Sequence, residues 1–339
     1  MENHSENNVY VEEQEALPVI FENHLENDKM FKDKIPECLI QNLPVDILLQ
    51  INTILSSKNI IIKEEKITEN QNITDNEETT KNIVPKIIFI VPYRDREQQY
   101  IFFHKQMTKE VLVDYPPGSY KIWYIHQCDS RDFNRGAMKN IGFLVAKQKY
   151  PNEYNNITFV FNDVDTMPFN KNFLHYETTI GCVKHFYGYD FALGGIVSMT
   201  GYDFERINGY PNLWGWGFED NALQMRVKKT NNLTIDRSNF YTILDKNILQ
   251  LTDGVTRIVN RNEFDLYYHN TKEGIYSIRD LDYNIDETTG FVNITRFNTG
   301  REQDLNKRII HDLRNGPAPF KPHAFTSKSR RNPRMGMLI

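Results

Sequence analysis

The chain has 339 residues, 40% of them hydrophobic and 12% aromatic, enough to bury a sizeable core in one large domain or two small ones. A net charge of −5 gives no reason to expect a nucleic-acid partner, and three scattered cysteines, Cys38, Cys128 and Cys182, argue against a disulfide framework or a zinc site. No run approaches the roughly 18–20 apolar residues needed to span a bilayer, and the opening M-E-N-H-S-E lacks the basic start of a signal peptide.

Residues 1–80 carry 17 acidic and 6 basic side chains and run into the polar stretch T-E-N-Q-N-I-T-D-N-E-E-T-T-K-N (68–82). They read as an acidic, partly disordered region and linker. From 86 the pattern changes. K-I-I-F-I-V (86–91) has the length and β-branching of a buried strand, and 97–112 spaces its apolar side chains as a helix does. Y-K-I-W-Y-I (120–125) predicts a second strand. Residues 135–148 predict a second helix with Ala137, Ile141, Leu144 and Val145 on one stripe, and I-T-F-V-F-N (157–162) a third strand. Strand–helix–strand–helix–strand predicts an α/β fold with a parallel sheet covered by helices, and such sheets bind ligands beyond the carboxyl ends of their strands. Residues 301–339, with 9 basic and 3 acidic side chains, read as a basic, solvated C-terminal extension. The sequons at Asn72, Asn156, Asn232 and Asn293 are what an Asn-rich chain produces by chance.

Chemistry is therefore expected in the segment just after each strand. P-Y-R-D-R (92–96) sets Arg94 and Arg96 two apart, where a guanidinium can grip a phosphate or simply line a charged turn. D-S-R-D-F-N-R-G (129–136) offers Phe133 to stack on a base and Arg135 to meet a phosphate, or else a capped helix start followed by a surface arginine. In N-D-V-D-T-M-P (162–168), an extended backbone would point Asp163 and Asp165 to the same side, and two such carboxylates repel unless a cation or donor lies between them. A hard divalent metal on a nucleotide diphosphate resolves that repulsion, and so, more simply, does a turn held by Asp side chains. Further on, W-G-W-G-F-E-D-N (214–221) places two of the three tryptophans among glycines, directly before Glu219 and Asp220, as in a loop that closes over something.

P-Y-R-D-R, F-N-R-G-A-M-K-N-I-G-F, F-N-D-V-D-T-M-P, G-G-I-V-S-M, I-N-G-Y-P-N and W-G-W-G-F-E-D-N, with the later H-N-T-K-E (269–273), resemble in order and spacing the animal-type β1,4-galactosyltransferase family. The resemblance covers roughly 84–300. It implies a GT-A fold, with a Rossmann-like nucleotide-binding half around a central mixed, mainly parallel sheet, and a catalytic domain at 81–300. It also implies an inverting glycosyltransferase that uses manganese or magnesium and passes galactose or a related sugar from a UDP-sugar to a glycan acceptor. On this resemblance Pro92, Tyr93, Arg94, Arg96, Phe133, Arg135, Asp163, Val164, Asp165, Ala192, Gly194, Gly195, Trp216 and Gly217 would face the donor, and Asp165 would ligate the metal. Trp214, Glu219, Asp220 and Asn221 would face the acceptor, with Asp220 the catalytic base and Glu219 beside it. Inversion requires one carboxylate to take the acceptor's proton while a diphosphate leaves, and a helix start at 218 would favour that charge through its dipole.

The sequence departs from the family in three places. A His usually completes the metal site some thirty residues after the acidic pair, whereas here L-D-K-N-I-L-Q-L-T-D leaves Asp245, Asp253 or His269 as substitutes. The third acid after W-G-W-G is Asn221, and Ala192 stands where an aromatic usually crowds the donor's C2 substituent, so UDP-GalNAc is expected as a donor beside UDP-galactose. The family's cysteine pairs and membrane anchor are also missing, which points to a soluble, cytoplasmic protein. The alternative is a catalytically degenerate module that holds a nucleotide sugar or glycan. A nucleotidyl or phosphoryl transferase would leave W-G-W-G without a purpose, and no Walker pattern is present.

Overall fold

The computed structural model describes residues 83–251, 254, 256–260, 263 and 272–312. The expected acidic region, most of the basic extension, Asp253 and His269 lie outside the described residues. The chain divides into Met1–Thr79 and Thr80–Ile339, and the described sheet, helices and site all belong to the second unit.

The run I-I-F-I-V becomes the centre of a sheet as β1 (Ile87–Tyr93), whose first six residues are buried. Ile88 and Ile90 pack into one core and Ile87, Phe89 and Val91 into another on the opposite side. Alternate side chains thus serve two layers, which is why the strand shows no polar alternation. It pairs in parallel with β2 (Tyr120–Gln127) and with β3 (Thr158–Asn162).

The helices that connect these strands supply the two layers. Helix α1 (Glu97–Gln106) continues into a π-helical turn at Met107–Val111, and its Phe103 joins the core on the Ile87 side. Helix α2 (Arg135–Lys149) covers the other side, begun by Asn134, whose side chain accepts from the Ala137 N–H. Ala137, Ile141 and Val145 are buried as the stripe predicts, and Leu144 only partly so.

After β3 come β4 (Thr166–Pro168), β5 (Cys182–Gly188) and β6 (Ile196–Thr200), then α3 (Gly201–Arg206) and α4 (Glu219–Lys229). The remaining strands are β7 (Thr234–Asp236), β8 (Tyr241–Thr242), β9 (Ile248–Gln250), β10 (Thr256–Val259), β11 (Arg279–Asp286), β12 (Phe291–Asn298) and β13 (Ile309–Asp312). The main sheet runs β11-β12-β2-β1-β3-β6-β5-β7, with β8 also on β5. β12 lies parallel to β2, whereas β6 is antiparallel to both β3 and β5. This is the mixed, mainly parallel sheet expected from the sequence.

The ordered body does not stop at 300. β13 pairs with β10, Arg301 reaches Glu263 at 3.3 Å and Glu273 at 2.9 Å, and Arg308 reaches Asp132 at 3.0 Å. Basic residues that read as solvated are partly committed to acids of the fold. Among the described residues no helix is long and apolar enough to cross a membrane.

Candidate active site

Because β1, β2 and β3 run parallel, their carboxyl ends meet at one rim, with Tyr93 paired beside His126. The three stretches singled out in the sequence are thereby gathered together. Tyr93 packs edge-on against His126 and Phe291, with centroids 5.2 and 5.0 Å apart, and Pro92 is buried behind it. Arg94 donates to the carbonyls of Arg131 at 2.5 Å and Asp129 at 2.8 Å, so its guanidinium ties the loop after β1 to the loop after β2. Its first task in this structure is to shape the rim. Arg96 is the residue before α1 and bonds to the Asp95 carbonyl at 3.2 Å.

The D-V-D segment differs from the extended geometry expected of it. β3 ends at Asn162, whose side-chain amide donates to the carbonyls of Asp163 at 2.8 Å and Thr166 at 2.7 Å. That staple folds 163–165 into a turn, closed by the Thr166 N–H on the Asp163 carbonyl at 3.2 Å. The carboxylates go to different partners. Asp163 accepts from Arg135 at 2.8 Å, and Asp165 accepts from the Thr166 hydroxyl at 2.9 Å. Val164 between them is buried.

The G-G segment brings the acidic pair to this rim. The Asp163 N–H donates to the Gly195 carbonyl at 3.2 Å, and the Leu193 N–H donates to the Asp220 carbonyl at 3.0 Å. Gly195 has φ +69°, and a Cβ there would run into the Tyr187 backbone. Gly194 lies against the Asp220 carboxylate, where an added Cβ would stand 2.9 Å from Cγ. Ala192 is 7% exposed beside them.

Helix α4 starts at Glu219, one residue after the predicted start, because Phe218 adopts a left-handed φ of +71°. Glu219 accepts from the Gly217 N–H at 3.1 Å and lies 3.5 Å from Arg135, which anchors the loop's end. The two tryptophans part company. Trp216 is half-buried, with its N–H on the Ile258 carbonyl at 2.6 Å and Arg257 over its ring at 5.9 Å. Trp214 is 2% exposed, stacked on Phe297 at 5.8 Å and covered by Arg131 at 4.8 Å; its indole N–H donates to the Arg301 carbonyl at 3.3 Å and its backbone N–H to Glu263. The expectation that Trp214 faces an acceptor therefore meets an indole already spent on the core. Asn221 donates to the Phe191 carbonyl at 3.3 Å, tying α4 to an exposed pair of stacked rings, Tyr189 and Phe191, 5.1 Å apart.

A charge cluster sits at the centre. Arg135 contacts Asp163 and Glu219, and Lys139, one helical turn on, lies 3.3 Å from Asp220 and 3.9 Å from Asp163. Burial alone would raise the Asp163 carboxyl, but Arg135 and Lys139 hold it below the usual range. Asp220 is pushed up to about 7, by burial first, with Glu219 and Asp163 adding repulsion that Lys139 and Arg135 only partly offset. The helix dipole expected to favour its charge is outweighed by desolvation. A carboxyl raised toward neutrality and held beside a buried lysine at the strand rim has the environment that proton transfer requires.

Among the described residues no three His, Cys, Asp or Glu side chains converge as metal ligands. Asp245 uses one oxygen to accept from the Asn247 backbone and side-chain amides at 2.9 and 3.0 Å, bracing the turn before β9. β9 itself pairs with β4, and the Leu251 N–H donates to the Asp165 carbonyl at 2.7 Å, so the segment that lacks the histidine passes directly beside Asp165.

Sequence reasoning missed Lys139 and the Tyr189–Phe191 pair. The i, i+4 spacing of Arg135 and Lys139 was the available signal for the lysine, and Y-D-F spacing was the signal for the rings.

Comparison with known proteins agrees with this geometry. The model for the N-terminal region of glycosyl transferase group 7 matches residues 41–177, and the model for the N-terminal domain of galactosyltransferase matches 174–247. Mouse (Mus musculus) beta-1,4-galactosyltransferase 4 is 31% identical over 156 residues, 42% of this chain and 42% of that protein. Xylosylprotein 4-beta-galactosyltransferase of Caenorhabditis elegans is 27% identical over 172 residues, 46% of this chain and 57% of that protein. The matched segment thus spans about half, or less, of those relatives' length. The catalytic domain of Drosophila beta1,4-galactosyltransferase 7, solved with xylobiose, shares the fold at TM-score 0.50 and 23% identity over 66% of this chain and 97% of that one. A mutant of the same Drosophila enzyme, solved with manganese, UDP-Gal and xylobiose, superposes equally well at 22% identity.

Proposed function

From the premise that this chain belongs to the animal-type β1,4-galactosyltransferase family, we propose that it is a metal-dependent glycosyltransferase, moving galactose from UDP-galactose to a sugar hydroxyl with inversion. The observation that carries the reading is the place of Asp220, its carboxylate packed on Gly194 at the rim where three parallel strands end. In a single displacement the acceptor oxygen attacks the anomeric carbon as the diphosphate leaves. The carboxylate of Asp220 takes the attacking hydroxyl's proton. Arg135 and Asp163, joined at 2.8 Å, present a fixed dipole on the donor side, and Trp216 with Gly217 forms the cover. Phe133, beneath the Arg135 guanidinium at 5.8 Å, extends the donor side toward the nucleotide base.

The donor set suits a divalent cation in one way. Asp165 supplies a single carboxylate, and a hard cation is commonly held by one or two carboxylates together with substrate phosphates rather than by a protein cage. Manganese bound there would stabilise the charge developing on the leaving diphosphate. Ala192 supports the use of UDP-GalNAc beside UDP-galactose, because a methyl group stands where an aromatic would crowd the C2 substituent. The exposed rings of Tyr189 and Phe191, next to Asn221, support a carbohydrate acceptor on that side.

The test is transfer from radiolabelled UDP-galactose and UDP-GalNAc to a panel of sugars that includes xylobiose, with manganese, by the wild type and by Asp220→Asn. The variant should lose transfer by at least about 10³-fold, in line with removal of a general base, while still binding UDP. A variant that turns over normally sinks the assignment of the base. The competing reading, a nucleotide-sugar-binding module without catalysis, draws on the missing histidine, and manganese-dependent turnover by the wild type excludes it.

A further inference from the structure

Galactosyl transfer with Asp220 as base uses Arg135 and leaves the second cation of α2 without a task. Lys139 is 1% exposed, yet its ammonium emerges beside the one carboxylate that must change protonation during transfer. Its stem is buried in the α2 layer of the core, and its Nζ lies 3.3 Å from Asp220 Oδ1, 3.9 Å from Asp163 Oδ1 and 4.5 Å from the centre of the Tyr210 ring. An ammonium is expensive to bury unless a carboxylate partners it, so the position makes sense only as part of the charge cluster.

We propose that Lys139 is a positioning residue for the base: its ammonium bridges the β3 rim and the start of α4, holding the Asp220 carboxylate ionised and aimed at the acceptor side. This rests on the reading of Asp220 as the base. The groups that face Asp220 can be named element by element. α2 contributes Lys139 and Arg135, the turn after β3 contributes Asp163, and α4 contributes Glu219; Tyr210 lies across Lys139 from the loop before Trp214, and Gly194 brings no charge. Glu219 and Asp163 oppose ionisation, and of the two cations that favour it Lys139 has the larger effect. Arg135 is engaged with Asp163 and Glu219, so Lys139 is the cation whose hydrogen bond reaches Asp220 itself.

The fixed cation also sets the direction of the carboxylate. Oδ1 is held by Lys139 while Oδ2 lies on the Gly194 side, so the two oxygens are not equivalent. The oxygen away from the lysine is the one left to meet an acceptor hydroxyl. Once it has taken the proton, the ammonium keeps Asp163 as a partner across the rim.

The test compares wild type with Lys139→Met, which keeps the volume and removes the charge, and Lys139→Arg, which restores the charge. Asp220 titration is read directly by carbon NMR of protein labelled at the aspartate carboxyl, with the signal assigned by its loss in Asp220→Asn. Lys139→Met should raise the Asp220 midpoint by at least about one pH unit, the usual effect of losing an opposite charge at this range, and Lys139→Arg should return it most of the way. The acidic limb of kcat/KM, measured with UDP-galactose, manganese and xylobiose, should move in the same direction wherever turnover is detectable. A folded Lys139→Met whose Asp220 midpoint stays within about 0.3 units of wild type, smaller than any direct ion-pair shift, overturns the role of Lys139, whatever its activity. If Asp220→Asn keeps wild-type turnover, the base reading fails instead, and the lysine's catalytic role falls with it even though the titration still moves.

Discussion

Replacing Gly194 by alanine puts a methyl group against the carboxylate of Asp220. An ideal Cβ at 194 would sit 2.9 Å from Asp220 Cγ and 3.3 Å from its Cβ, and closer still to Oδ2, whereas ordinary contact begins at 3.4 Å. The carboxyl carbon must therefore retreat by at least about 0.5 Å and its outer oxygen by more, and a misplacement approaching 1 Å at a reacting group costs about 10²-fold in rate. That is about 2.7 kcal/mol of transition-state stabilisation. Lys139 on the far side limits where the carboxylate can go, since it already stands 3.3 Å away. The expected result is a kcat about 10²-fold down for transfer from UDP-galactose, with the circular dichroism spectrum unchanged and Tm lowered by the cost of overpacking, about 1–3 kcal/mol. A Gly194→Ala enzyme with kcat within about threefold of wild type, far short of that displacement penalty, would show that the carboxylate is free to move or is not the base.

Activity and stability should follow pH in opposite senses. Asp220 rises from 3.8 to about 7, chiefly through burial, so the folded state favours its protonated form. Stability contributed by that group is greatest below its unfolded value and declines as pH climbs toward 7, while kcat/KM, which needs the carboxylate, rises over the same window. Glu263, raised by burial to about 7, adds to the stability trend without touching the proposed reaction. A pH–rate profile and Tm values taken together check this, and a profile that is flat from pH 5 to 8 refutes it. The two tryptophans should separate as well. Trp214→Ala should cost about 3–5 kcal/mol of stability, the usual penalty for deleting a buried Trp, whereas Trp216→Ala should unfold like wild type and lose donor turnover instead. Denaturant titration and donor KM distinguish the two outcomes.

The parts of the fold written in long-period apolar patterns were legible from the sequence. β1 and α2 announced themselves because a parallel strand is buried on both faces and its covering helix is striped. β11 was passed over although its alternation carries a signal: Leu281, Tyr283 and Ile285 turn to the core while Asp280, Asp282 and Asn284 turn outward at the sheet edge, a period of two that a search for continuous apolar runs does not register. At the site, residue types that bear charge in turns were found, but their partners were not. Arg94 reads as a phosphate clamp and in fact holds two carbonyls, because hydrogen bonding between loops leaves no mark in one loop's sequence. Lys139 was passed over because a lysine on a helix is normally a surface residue, and only the convergence of α2, β3 and α4 turns it inward. For Asp220 the helix dipole is local and visible in the sequence, whereas the desolvation that outweighs it comes from chain distant in sequence.

The place of β12 in the sheet has a consequence for how the chain is assembled. This strand, Phe291–Asn298, lies between β11 and β2 and pairs in parallel with a strand made far earlier, Phe291 beside Tyr124. During synthesis the outer edge of β2 stays open until nearly the whole described body has left the ribosome, with Tyr124 and Ile125 part of an apolar run. Such an edge is a template for wrong partners, and closing it means joining segments far apart in sequence, which is slow. The antiparallel pair β11–β12 acts as the late lock of the main sheet. Chains cut short before it would be left with that edge exposed.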